Sequence, residues 1–147
     1  MDKKYLAQII ATDSEGLQMI SACTAGAKVK VVDIKYLATN KVFLISIERT
    51  KIEIDQKNKK INSICRFDFV DKVKSKNIDQ RNNEFTLELI AIDYLKNKDD
   101  YEINLIGIDY LKNKDDYEIN LIFDKNSHIV LTTETIEVRL EDQNEIK

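Results

Sequence analysis

Proline is absent from this chain of 147 residues, and glycine occurs only at Gly16, Gly26 and Gly107. Turns must therefore be built from Asn, Asp, Lys and Ser. A glycine-rich phosphate loop opening a helix is excluded. Tryptophan is also absent, histidine occurs once (His128), and the two cysteines, Cys23 and Cys65, form no CxxC pair. One His and two distant Cys cannot supply the usual zinc ligand set. His128 is the single candidate base for a Ser–His or Cys–His couple, and no GxSxG-type motif accompanies it. Isolated cysteines of this kind are read as small buried hydrophobes in a reduced compartment. No apolar run approaches the roughly 18 residues that span a bilayer. The N-terminus, MDKKYLAQIIATDSE, lacks the small-residue cleavage site of a signal peptide. The expectation is a cytoplasmic protein with no membrane segment, no metal, no cofactor and no catalytic residue that a motif identifies.

What is present is globular in composition. Hydrophobic residues make up 43% and charged residues 33%, enough for one domain over residues 1–147 with a core of its own. The net charge of −3 is unevenly spread. Residues 57–81 carry eight basic side chains against three acidic, and residues 82–147 carry seven against sixteen. A near-perfect tandem duplication lies in the acidic part: residues 91–106 read AIDYLKNKDDYEINLI and residues 107–122 read GIDYLKNKDDYEINLI. Two copies are too few for a solenoid, which needs about three to bury a continuous core. Each copy holds a strand end, a KNKDD turn and a strand start. Adding one as a regular hairpin would reverse the direction of everything after it. One copy is therefore expected to protrude, as a loop or a long two-stranded arm.

Along the chain, Tyr5 to Ala11 reads as a buried strand. Thr12 or Asp13 can cap a helix of about three turns, with Leu17, Ile20 and Thr24 on its apolar face and Gly26 at its end. The period then becomes two. KVKVVDIKYL and VFLISIERTKIEI form a hairpin about Ala38–Lys41. Ile61 to Val73 reads as one strand, with Cys65, Phe67 and Phe69 on one face, and FTLELIAIDYL as another. The tail TETIEVRLEDQ alternates as a strand would, yet Ile136 and Leu140 also fit one helical turn with Thr133 as cap, and it is read as a short C-terminal helix. The fold class is α+β: a mostly antiparallel curled sheet or partial barrel with one N-terminal helix and that C-terminal helix.

The run ATDSEGLQMISACTAGAKVKVVDIKYLATNKVF resembles the opening of the alphaproteobacterial family called domain of unknown function 2948. The matching positions are Asp13, Ile20, Ser21, Ala22, Val29, Lys30, Val31, Asp33, Ile34, Tyr36 and Leu37. RFDFVDKVKSKNID and TIEVRLEDQ are similar to later stretches of that family, with Val32, Asn77 and Thr135 standing where its members have Gly, Gly and Cys. The resemblance spans all but one copy of the duplication. It implies a compact bacterial cytoplasmic protein and brings no activity with it.

Two groups of side chains invite a functional reading. Asp33, Tyr36 and Arg49 lie on the first hairpin and would form a polar cluster if its register set them together; the plainer reading is a cross-strand Asp–Arg pair. The basic stretch, including Arg66, Lys72, Lys74 and Lys76, could attract an acidic partner. It lacks the interleaved aromatic platform that nucleic acid calls for, and lysines along a strand are also how sheets blunt an edge. The acidic DD–E of each repeat lacks the spacing and glycine of a calcium loop. The sequence thus points to a non-catalytic binding or protein-interaction module, with a protein partner or self-association, no membrane and little case for nucleic acid. The alternative is an enzyme built on Asp33, Tyr36 and Arg49.

Overall fold

A computed structural model describes residues 8–52, 58–81, 84–98, 102–103, 110–111 and 115–146. The chain opens with β1 (Gln8–Ala11), followed by α1 (Ser14–Thr24). The Asp13 carboxylate accepts from Gly16 N at 2.7 Å and caps the helix, supplying one of the acceptors that the first helical amides need. Gly16 permits the tight start, because a Cβ there would lie 2.9 Å from Ala11 Cα. Gly26 follows the helix at φ +85, a conformation an L-side chain resists. Leu17, Ile20 and Thr24 are buried as their helical spacing predicts, and Ser21 Oγ accepts from the Ile92 amide at 2.9 Å, tying α1 to the sheet.

Strands make up nearly all the remainder. They are β2 (Ala27–Lys30), β3 (Ile34–Leu37), β4 (Val42–Ile52), β5 (Asn58–Phe67), β6 (Val70–Lys76) and β7 (Thr86–Lys98), then β8 (Glu102–Ile103), β9 (Tyr110–Leu111), β10 (Asp115–Phe123), β11 (His128–Thr133) and β12 (Val138–Ile146). The main sheet runs β1-β12-β5-β4-β2-β7-β10-β11-β6, with β3 paired to β4 off this path. All its ladders are antiparallel. Alternate residues along the strands of the main sheet point inward to one core: Phe43, Ile45 and Ile47, then Leu87 and Leu89, Leu121, Leu131, Val138 and Leu140, with Leu17 and Ile20 of α1 against them. Each such burial contributes about 1.5–3 kcal/mol before conformational entropy is counted. The sheet curls until β6 returns to the β3–β4 hairpin, yet β3 and β6 share no ladder, so it does not close into a barrel.

The duplication is housed by halves. β7 takes 91–98 from the first copy and β10 takes 115–122 from the second, in a ladder that sets Glu118 opposite Leu95 and Ile119 opposite Tyr94. Between them, β8 and β9 pair Glu102 with Leu111 and Ile103 with Tyr110. These are the same partners displaced by sixteen positions. Of the two KNKDD stretches, Asn97, Lys98, Asp115 and Asp116 lie in strands rather than turns; residues 99–101 and 112–114 lie outside the described residues, as does the expected Tyr5–Ala7 portion of the first strand.

Three expectations are corrected. The tail is not a helix: β12 pairs with β5 on one side and β1 on the other, and two ladders outweigh the local helical spacing of Ile136 and Leu140. KVKVVDIKYL is not one strand, since a single 3-10 turn at Val31–Asp33 divides β2 from β3. The stretch from Ile61 to Val73 is two strands, because Phe69 adopts φ 58. That residue shifts the alternation by one: Phe67 and Val70 are buried and Phe69 is 45% exposed.

Candidate functional site

The incomplete closure of the sheet creates a concavity. β6 is fastened to the β3–β4 hairpin at one end. Val70 N donates to Lys41 O at 2.8 Å, the Tyr36 hydroxyl donates to Val70 O at 2.8 Å, and Lys41 Nζ lies 2.9 Å from Asp71 and 3.7 Å from Glu134. The hydrogen bond from Lys41 to Asp71, with the charges of Asp71 and Glu134, raises the lysine pKa above its ordinary 10.5. Beyond this tie the two strands part around a cleft of about 510 Å³, lined chiefly by Ile34, Tyr36, Phe43, Val73, Ser75 and Ile78. Its volume falls in the ~300–1,000 Å³ range of ligand pockets, and most of its lining side chains are apolar, although polar and apolar surface are about equally exposed within it.

The rim is of a different character. β3 points Ile34 and Tyr36 inward and exposes Lys35. β6 turns Val73 toward the core and exposes Lys72, Lys74 and Lys76. These three stand opposite Thr132, Val130 and His128 of β11, so no acid faces them across the ladder. Among the described residues none of the three makes an ion pair. Their strand is the last of the sheet, an edge where repulsion between like charges discourages unwanted pairing.

A second hollow of about 790 Å³ lies where β2 and β4 separate. The two strands share one register pair, Lys28 opposite Glu48, before the 3-10 turn carries the chain away. Lys28, Lys30, Asp33, Glu48, Glu88 and Asp124 line it. Charges of both signs alternate there, and the carboxylates outnumber the ammonium groups. A third, shallower hollow of about 750 Å³ beside the β10–β11 turn holds His128 with Lys76 and Asp93. Among the described residues no group of three His, Cys, Asp or Glu side chains is placed to hold a metal ion. No helix among them is long and apolar enough to cross a membrane.

The residues singled out by sequence go to different places. Asp33 ends the 3-10 turn and lines the β2–β4 hollow. Tyr36 stands opposite Phe43, whereas Arg49 stands opposite Ile61, six positions further along β4. At ~3.3 Å per residue that is about 20 Å, so Tyr36 and Arg49 share the inner side of the sheet without meeting. Arg66 belongs to β5, opposite Arg139, and pairs with Asp68 at 3.1 Å; it stands apart from the lysine row of β6.

Arg49 has a partner the sequence did not announce. Its guanidinium donates to both carboxylate oxygens of Asp142, Nη2 at 2.8 and 2.9 Å and Nε at 3.0 Å, and Ser63 Oγ donates to the same carboxylate at 2.7 Å. Arg49, Ser63 and Asp142 are all buried. A bidentate Arg–carboxylate pair with a further hydroxyl donor satisfies most of what burial takes from two charges. The available signal was the period-two series Val138, Leu140, Asp142, concealed once the tail was read as a helix. Cys65, likewise buried, has its thiol pKa pushed well up by burial, and Cys23 is half-buried.

One family model, described as "Protein of unknown function (DUF2948)", matches residues 7–105. The match ends one residue short of the first copy's last position. No curated protein and no solved structure matches the chain.

Proposed function

We propose that this protein, which belongs to the DUF2948 family and inherits no assigned activity from it, is a non-catalytic interaction module whose partner is an acidic protein surface. The carrying observation is the row of Lys72, Lys74 and Lys76 on the outer side of the terminal strand β6, facing uncharged or histidine neighbours on β11. Three cations held at every second position of one strand act together, and such a row steers an oppositely charged partner more than a scattered set does. The acidic stretch 82–147 of another copy, seven basic against sixteen acidic side chains, is one surface of suitable charge. The enzyme reading draws no support from the placing of Tyr36 and Arg49 far apart along β4.

The test is chromatography on immobilised poly-glutamate. The parent protein is expected to be retained at low salt and released as salt rises, and the Lys72→Glu/Lys74→Glu/Lys76→Glu variant to flow through. Sedimentation of the parent alone in the same buffers shows whether another copy serves as the acidic surface. Identical elution of parent and variant would defeat the proposal. Stronger retention on immobilised single-stranded DNA than on poly-glutamate would move it to nucleic acid.

A further inference from the structure

The cleft between β3 and β6 is bounded by two strand edges. β3 is paired to β4 along one edge, and β6 to β11 along one edge. Their other edges flank the same opening, since Ile34 and Tyr36 of one strand and Val73 and Ser75 of the other line it together. Strand edges without a neighbour present backbone donors and acceptors at a spacing that an extended chain can match. The tie at Val70, Tyr36 and Lys41 closes one end of this slot and fixes the relative placement of its walls.

The slot also has a pattern across its thickness. On the inner side stand Ile34, Tyr36 and Val73, above Phe43 and Ile129 at the floor. On the outer side both walls carry lysines: Lys35 on β3, beside the exposed Leu37, and Lys72 and Lys74 on β6, where the exposed Asp71 is already paired to Lys41. Successive side chains of an extended strand point to opposite faces. A chain lying in the slot would therefore put every second residue into the apolar cleft and the intervening ones beside lysines.

We infer that the slot between β3 and β6 receives an extended segment of the protein partner, with alternating aliphatic and acidic residues, as an added β-strand. This rests on the interaction reading above and specifies how the partner binds. The apolar cleft takes the aliphatic side chains, and Lys35, Lys72 and Lys74 meet the acidic ones. A free apolar molecule would use the floor of the cleft and leave both the lysines and the strand edges idle.

The experiment uses fluorescein-labelled synthetic octapeptides and fluorescence anisotropy with the full-length protein. The first alternates Val and Glu; the second has the same composition in two blocks; the third is the alternating peptide N-methylated at every second amide. Binding is expected for the alternating peptide, weakened roughly tenfold or more by blocking the sequence, by N-methylation, or by Lys35→Glu/Lys72→Glu/Lys74→Glu. These lysines are exposed, so the variant is expected to fold as the parent does, which circular dichroism verifies. Ile78→Glu, on the cleft wall, gives a second reading of the apolar side and should weaken the alternating peptide only. Equal binding of alternating and block peptides overturns the added-strand inference and leaves the lysine surface standing. Failure of all three peptides while poly-glutamate still retains the protein has the same meaning. Failure of the peptides and of poly-glutamate together overturns both.

Discussion

Lys98 stands opposite Asp115 in the β7–β10 ladder, although sixteen residues separate them in the chain. In a single copy of the repeated sequence, Lys and Asp are adjacent at the centre of KNKDD. The repeat is thus read by the sheet as if its first half ended at Lys98 and its second half resumed at Asp115. Because β8 and β9 keep the same partners sixteen positions away, one unbroken register accounts for all the described pairs between the two copies. We propose that the extra length was added where a hairpin already turned, so that the strands on either side kept their direction.

Deleting residues 99–114 should therefore leave the sheet intact. The deletion joins 91–98 to 115–122 and restores one complete copy; Lys98 and Asp115 become the two residues of the turn, and the β7–β10 pairs from Asn97–Asp116 outward are retained. The midpoint of thermal unfolding, followed by circular dichroism, is expected to move by less than about 4 °C, the displacement that ~1 kcal/mol makes in a chain of this size. A larger fall would mean that the excess segment contributes to the core.

The buried trio makes a sharper energetic prediction. Asp142→Ala strips Arg49 of its carboxylate in a site nearly closed to water, and an uncompensated buried charge costs about 3–5 kcal/mol. Ser63→Ala removes one donor to the same carboxylate and should cost about 1–3 kcal/mol. Urea unfolding of both variants measures the difference. The double variant Arg49→Met/Asp142→Leu should recover most of the loss, because no charge is then left unpaired. A loss no smaller than that of Asp142→Ala alone would show that the pair is held by its shape rather than its charge.

This trio marks where the sequence was legible and where it was not. α1 could be read because its signals are local: Asp13 caps it, Leu17 and Ile20 recur at helical spacing, and Gly26 ends it. The inner face of β4 could be read because Phe43, Ile45, Ile47 and Arg49 alternate without interruption. The boundary between β5 and β6 could not, because the phase change is produced by the backbone of Phe69, whose side chain predicts a strand interior. β12 could not, because what holds it extended is pairing with β5 and β1 from distant parts of the chain. The cleft between β3 and β6 depends on how far the sheet curls, a property of the whole assembly. Its ingredients, Ile34, Lys35 and the β6 lysines, are plain in the sequence; their adjacency is not.

The tie that closes the slot should weaken at high pH. Lys41 has a raised pKa because its ammonium is hydrogen-bonded to Asp71 and lies near Glu134. A group whose folded pKa is raised stabilises the fold fully below its unfolded value of 10.5 and loses that contribution as pH rises through the folded value. Lys41→Met keeps an L-residue at φ 56 and removes only the charge. The stability gap between parent and variant, from thermal unfolding across the alkaline range, is expected to be constant at neutral pH and to vanish above the lysine titration. Because both proteins carry the same tyrosines, their titration cancels in the difference. A gap that persists would assign the tie to packing rather than charge.

Phe69 offers the last test, and its sign is the informative part. An aromatic side chain at φ 58 suffers the clash between Cβ and the backbone that makes the left-handed region costly, about 1–2 kcal/mol for a residue other than glycine or asparagine. What Phe69 gains in return by burial is limited, since it is 45% exposed. Its backbone is meanwhile committed, with Phe69 O accepting from Glu134 N at 3.3 Å and the adjacent Asp68 N donating to Glu137 O at 3.0 Å. The fold thus dictates the conformation, and the side chain bears the strain. Asn77 shows the milder solution: it sits at φ 59, at the position where the resemblance described above has glycine, and asparagine tolerates that region well. Phe69→Asn is therefore expected to stabilise the protein by about 1 kcal/mol in urea unfolding. If the substitution instead destabilises, the exposed ring is packed more productively than its accessibility indicates. If it stabilises while weakening retention on poly-glutamate, the strain at Phe69 is kept for the partner and not for the fold.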